Sequence, residues 1–154
     1  MTWIGIAHLV FALLALLSGT VVIFRRKGTV SHKRFGYFYV ACLLALNLTA
    51  LMIYRLLGVL GPFHVLALVS IATLFAGLVP ALRRTPGWLD RHYRAMSWSY
   101  VGLCAAFVAE ILVRTPLVRG IGWGFGIAVL AGSSAVALVG GVIIRRRRRS
   151  VMMA

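Results

Sequence analysis

Five runs of about 20 apolar residues, separated by short polar connections, leave this chain few ways to fold. They extend from Trp3 to Phe24, Phe35 to Leu57, Phe63 to Leu82, Tyr93 to Val113 and Ile121 to Ile144. At ~1.5 Å of rise per residue, each is long enough to cross a ~30 Å hydrocarbon layer as a helix. A soluble domain of this size cannot bury so much apolar surface, because 62% of the 154 residues are hydrophobic and only 12% are charged. The expected fold is therefore all-α: an integral membrane five-helix bundle with a four-helix antiparallel core and a fifth, glycine-rich helix. It forms a single transmembrane domain over 1–154, with helices near 3–24, 32–57, 62–82, 91–113 and 120–144 and a basic cytoplasmic tail at 145–154. The first run is longer than the apolar part of a signal peptide, and no small-residue cleavage site separates it from Arg25-Arg26-Lys27, so it reads as a retained span.

A net charge of +15 would point a soluble protein toward nucleic acid, but here the placement of the cations decides. In a five-span weave, Arg25, Arg26, Lys27, Lys33, Arg34, Arg83, Arg84, Arg91, Arg94 and the run Arg145 to Arg149 all fall on one side. Only Arg55, Arg114 and Arg119 fall on the other. The positive-inside rule then puts the N-terminus outside and the C-terminus in the cytoplasm. The expected partner of this charge is anionic lipid at the cytoplasmic face, and no nucleic acid.

The connections between the apolar runs are short, which makes successive helices antiparallel neighbours. Ser31 and Asp90 are placed to cap the second and fourth helices, and Pro62 suits the first turn of the third. Cys42 and Cys104 lie within spans, at different depths and without metal-ligand spacing, so they read as small apolar fillers. The fifth run, "GIGWGFGIAVLAGSSAVALVGG", carries Gly120 and Gly124, and Gly122 and Gly126, four apart. That spacing permits close helix approach and suggests support or homo-oligomer formation through this helix, as well as ordinary membrane-helix composition.

The histidines are the chemically informative residues. There are four, His8, His32, His64 and His92, each in the first turn or two of one of the first four helices. Because the helices alternate in direction, His8 and His64 fall near the outer face and His32 and His92 near the inner face. Helical spacing groups His8 with Ala12, Ala15 and Gly19, His32 with Gly36, Tyr39, Leu43 and Asn47, and His92 with Met96, Ser99, Leu103 and Glu110. Polar groups in a bilayer turn toward protein, so these faces are expected to point inward.

Diagonal helices of an antiparallel bundle lie roughly 13 to 14 Å apart. Two imidazoles on opposite faces of a haem iron need about 13 Å between their Cα atoms. The spans match, and the pairs His8 with His64 and His32 with His92 are candidate ligands of haem b. For His32 and His92, the positive helix ends and neighbouring cations disfavour the imidazolium, leaving a neutral ring able to bind iron and cations able to meet propionates. Against this stands an ordinary interfacial role for each histidine. A third possibility is a transition metal held by His8, His64 and Glu110 near the outer face, although Arg114, one turn beyond Glu110, offers that carboxylate a simpler partner. No phosphate loop is present, and Asp90 and Glu110, the only acids, make no acid-base dyad.

The segments "KGTVSHKRFGYFYV", "NLTALMIY", "GPFHVLALVSIATLFAGL" and "RHYRAMSWSYVGLCAAFVAEI" resemble the recurring segments of a bacterial family of small integral membrane proteins catalogued as a domain of unknown function. That likeness runs over nearly the whole chain and implies no activity. More distantly, the plan is similar to the ascorbate-reducible transmembrane cytochromes b, in which histidines on alternate helices of a four-helix core hold two haems. This second resemblance implies His8 and His64 on one haem, His32 and His92 on the other, and electron transfer with a redox partner or quinone. The chain departs from it in having five spans and very short loops.

Overall fold

The computed structural model describes residues 2–53, 62–115 and 124–153. Among them the chain is all-α, with five helices and no strand: α1 (Trp3–Phe24), α2 (Val30–Leu51), α3 (Pro62–Arg83), α4 (Trp88–Arg114) and α5 (Gly124–Met153). All five are long and apolar enough to span a membrane. Their outward faces carry large apolar side chains, such as Leu17, Leu130 and Leu138, each about two-thirds exposed or more, as lipid-facing residues must be.

Local chemistry sets the helix ends. Thr2 caps α1, its Oγ1 accepting from the Gly5 N–H. At the far end Lys27 Nζ donates to the Val22 and Ile23 carbonyls, which have no partner within the helix. Gly28 then takes a left-handed φ of 80°, and Thr29 caps α2 by accepting from the His32 N–H at 3.1 Å. The cap is thus Thr29 and not Ser31, which lies inside the helix. The second helix also stops at Leu51, short of the expected 57. Its last carbonyls are taken by three-residue bonds, Met52 N–H to Thr49 and Ile53 N–H to Ala50, while the Thr49 hydroxyl draws on the carbonyls of Ala45 and Leu46. Residues 54–57 of that expected helix lie outside the described residues.

Pro62 opens α3 as expected, in the position where a missing N–H costs nothing. In α4 the cap differs from expectation: Gly87, with φ 69°, precedes the helix, and Asp90 sits in its first turn without capping it. The carboxylate is engaged elsewhere, 2.7 Å from Arg148 Nε and 3.0 Å from Arg94 Nη2. Arg148 belongs to the segment expected as a tail beyond the last span. That segment is a continuation of α5 as far as Met153, consistent with the high helix propensity of arginine and the anchor that Asp90 provides.

The chain forms two compact units, Met1–Leu74 and Phe75–Ala154, with the division inside α3. In the first, α1 packs on α2 in antiparallel fashion, with His8 near the start of one helix bonded to Thr49 near the end of the other. Ala15, Tyr39, Cys42, Leu43 and Leu46 form its core, joined by Ala67 and Leu74 of α3. Asn47 ties α2 to α3 by donating to Ser70 Oγ at 3.0 Å. In the second unit α4 packs against α5, also antiparallel, and glycine sets the approach. A Cβ on Gly132 would lie 2.6 Å from Leu112 Cδ1, and one on Gly140 would lie 2.5 Å from Val101 Cγ2. The small residues of the fifth helix are used inside the unit, against α4. Of the glycine pairs expected to bring helices together, Gly120 and Gly122 lie outside the described residues.

Candidate functional site

Three of the four histidines belong to the first unit. His8 lies on the face of α1 that also carries the buried residues Ala15, Ser18 and Gly19. Its Nδ1 is 3.1 Å from Thr49 Oγ1. That hydroxyl has one hydrogen, directed to the carbonyl of Ala45 at 3.0 Å or of Leu46 at 2.8 Å. With that hydrogen on a backbone carbonyl, Thr49 accepts from Nδ1–H of His8 and Nε2 is the basic nitrogen; with the hydrogen on Nδ1 the roles reverse. His64 is 6% exposed, on the face of α3 that buries Ala67 and Leu74. His32, half-buried, sits one turn from Gly36, where an added Cβ would meet nothing within 4 Å.

His92 belongs to the second unit. Its Nδ1 is 3.0 Å from the carbonyl oxygen of Gly77, an atom that can only accept, so Nδ1 carries the proton and Nε2 is the basic nitrogen. Two features of α3 make this contact available. Gly77 lets α4 come close, since a Cβ there would be 2.9 Å from Met96 Sδ and 3.1 Å from Ala95 Cβ. Pro80, three residues on, lacks an N–H and crowds the preceding turn, which loosens the carbonyl ladder beside Gly77. Around His92 lie Trp88, with ring centroids 6.3 Å apart, and Arg84, whose guanidinium stacks 4.5 Å above the Trp88 ring.

Imidazoles that bind metals almost always donate their other ring N–H to a carbonyl, carboxylate or comparable acceptor, which fixes the tautomer and makes the ligating nitrogen more basic. His92 has that arrangement, and His8 has it when Nδ1 donates to Thr49. The donor chemistry therefore fits an iron porphyrin, with Nε2 as the nitrogen that would face the iron.

Glu110 behaves differently. Its carboxylate is 55% exposed and is held by Arg114 on the same helix, through both Nε and Nη2 of the guanidinium. The inward face expected for α4 holds at Ser99 and Leu103 but has turned outward by Ala106 and Glu110. Among the described residues, no three histidine, cysteine or acidic side chains come together as a metal site.

Sequence reasoning did not find Thr49 and the Gly77 carbonyl. The latter had a readable signal, since a proline inside a span loosens the backbone of the turn before it. Thr49 has none without the register of α1 on α2.

The family model described as "Predicted membrane protein (DUF2306)" matches residues 5–146. The chain belongs to this family. The match takes in all four histidines, together with Thr49 and Gly77, the residues bonded to His8 and His92. No curated protein and no solved structure matches the chain.

Proposed function

We propose that this member of the family is a cytochrome b-like membrane electron carrier that binds haem b through histidine. His8 and His64, both in the first unit, are the primary pair of ligands. His92 is a further candidate in the second unit, as is His32 in the first. The observation that carries the reading is the anchored ring of His92, which donates Nδ1–H to the Gly77 carbonyl and so leaves Nε2 basic, beside the matching Nδ1 contact of His8 with Thr49. Burial of His64 supports it, because it holds the ring away from the lipid-facing surface of the helix. Bound haem would supply one-electron chemistry. The protein would orient the rings, exclude water from them and set the potential through burial and these hydrogen bonds.

In this reading electrons pass to or from a redox partner or quinone in a bacterial inner membrane. The N-terminus is outside, and the arginine-bearing helix ends face an anionic cytoplasmic leaflet. The test is a visible spectrum of the full chain expressed with haem supplementation. A Soret band with sharp α and β bands on reduction is expected, and His8→Ala and His64→Ala should each lower haem content while His92→Ala acts independently of them. A blank spectrum from folded protein refutes the reading and leaves a non-catalytic membrane protein or partner subunit. Metal analysis of the same sample tests a transition metal in place of haem.

A further inference from the structure

One residue of the arginine run of α5, Arg148, is set apart from the other four by an ion pair with an acid of α4. From Gly126 to Ile144 the helix rises about 28 Å, close to the hydrocarbon thickness, so Arg145 to Arg149 emerge at the level of the lipid phosphates. They are helical, and at ~100° per residue five consecutive side chains surround the axis instead of forming a stripe. Ile144 defines the protein-facing side, being 8% exposed and accepting from Tyr93 Oη at 3.0 Å through its carbonyl. Arg148, one turn later, is exposed like its neighbours but lies on that side, and there α4 supplies Asp90 at 2.7 Å, one of two acids in the whole chain. The same helix face continues at Val151, which is half-buried. Arg146 projects away from α4, Arg145 and Arg149 share one flank, and Arg147 takes the other. All four are exposed.

We infer that Arg145, Arg146, Arg147 and Arg149 form a collar that binds the phosphates of anionic phospholipid, while Arg148 is reserved for Asp90. A ring of cations around a helix at the headgroup level is complementary to phosphates arriving from all lipid-facing directions. It is poorly matched to a nucleic acid, which needs cations along one face. The inference deepens the anionic-leaflet part of the proposed function and is independent of haem, so a blank visible spectrum leaves it intact.

The experiment reconstitutes the full chain in vesicles of equimolar phosphatidylglycerol and phosphatidylcholine. Electron spin resonance of spin-labelled lipids then gives the relative association of the two. Wild type prefers phosphatidylglycerol. Changing Arg145, Arg146, Arg147 and Arg149 together to glutamine brings the preference to near unity, each arginine contributing up to about fivefold at low salt. Arg148→Gln leaves the preference unchanged but lowers thermal stability. If the fourfold variant does not insert, Arg146→Gln and Arg147→Gln singly carry the test, each lowering the preference where Arg148→Gln does not. A preference that survives the fourfold change, or one that Arg148→Gln reduces as much, overturns the inference. So does tight binding of a fluorescent oligonucleotide that the collar variants abolish while lipid preference stays the same.

Discussion

Gly140→Ala is the sharpest probe of how α4 and α5 meet. The new methyl would lie 2.5 and 2.8 Å from the two methyls of Val101 and 3.2 Å from its Cβ. Apolar carbons pack at about 3.5 to 4.0 Å, so the overlap is about 1 Å on two sides of one residue. Valine cannot escape by rotation, because a β-branched side chain on a helix has one strongly preferred χ1 and its Cβ is already too close. The helices must separate locally, which also loosens Trp98 where it lies over Gly141. Overpacking of this kind costs about 1 to 3 kcal/mol. The cost should appear in reversible unfolding of the full chain in mixed micelles, followed by tryptophan fluorescence. Val101→Ala removes both offending methyls, so the double variant should recover most of the loss, giving a favourable coupling of about 1 to 2 kcal/mol. Gly126→Ala, where the methyl meets nothing within 4 Å, should be neutral or slightly stabilising through helix propensity. Equal losses at Gly140 and Gly126, or no coupling with Val101, would show that the two helices do not approach through these glycines.

Other perturbations test separate contacts. Ser70→Ala removes the bond from Asn47 between α2 and α3 while Asn47 keeps its own Leu43 carbonyl at 2.9 Å, so unfolding should show a loss of only about 0.5 to 1.5 kcal/mol. Thr49→Val should release the His8 ring from a single tautomer and Thr49→Ser should retain it, as read from imidazole nitrogen shifts of the full chain by NMR. Asp90→Asn should lower the melting temperature at low salt by weakening the contacts with Arg94 and Arg148, and the difference from wild type should shrink as salt screens the exposed partners.

The spans were legible because period and length are strong signals in a bilayer: about 20 apolar residues can do little there except cross as a helix. The ends were less so. Whether Ser31 or Thr29 caps α2 depends on where the turn after Gly28 places the first helical residue, and both candidates have the same side-chain chemistry. The helical continuation through Arg145 to Arg149 was hidden for another reason. Taken alone, five adjacent like charges favour an extended, solvated chain, and the opposing charge that steadies them, Asp90, is 58 positions away. Glycine in the fifth helix was visible, but its spacing fits a neighbour within the chain as well as one from a second copy. The glycines that α4 approaches are later ones, Gly132 against Leu112 and Gly140 against Val101, while Gly126 of the expected pairs has nothing within 4 Å of an added Cβ.

The same limit governs the candidate site. Helical spacing can say that His8 shares a face with Ala15 and Gly19, and so that the ring points inward. It cannot say which ring nitrogen bears the proton, because that depends on a partner 41 positions away. Ligand and bystander histidines look alike in sequence, and the difference between them is written in the partner of the second nitrogen. A carbonyl is the more informative partner, because it can only accept: the Gly77 oxygen restricts His92 to the tautomer whose Nε2 can bind a metal. A hydroxyl can accept or donate, so the contact of Thr49 with His8 orients the ring and leaves its proton to be located by the nitrogen shifts of the Thr49 variants.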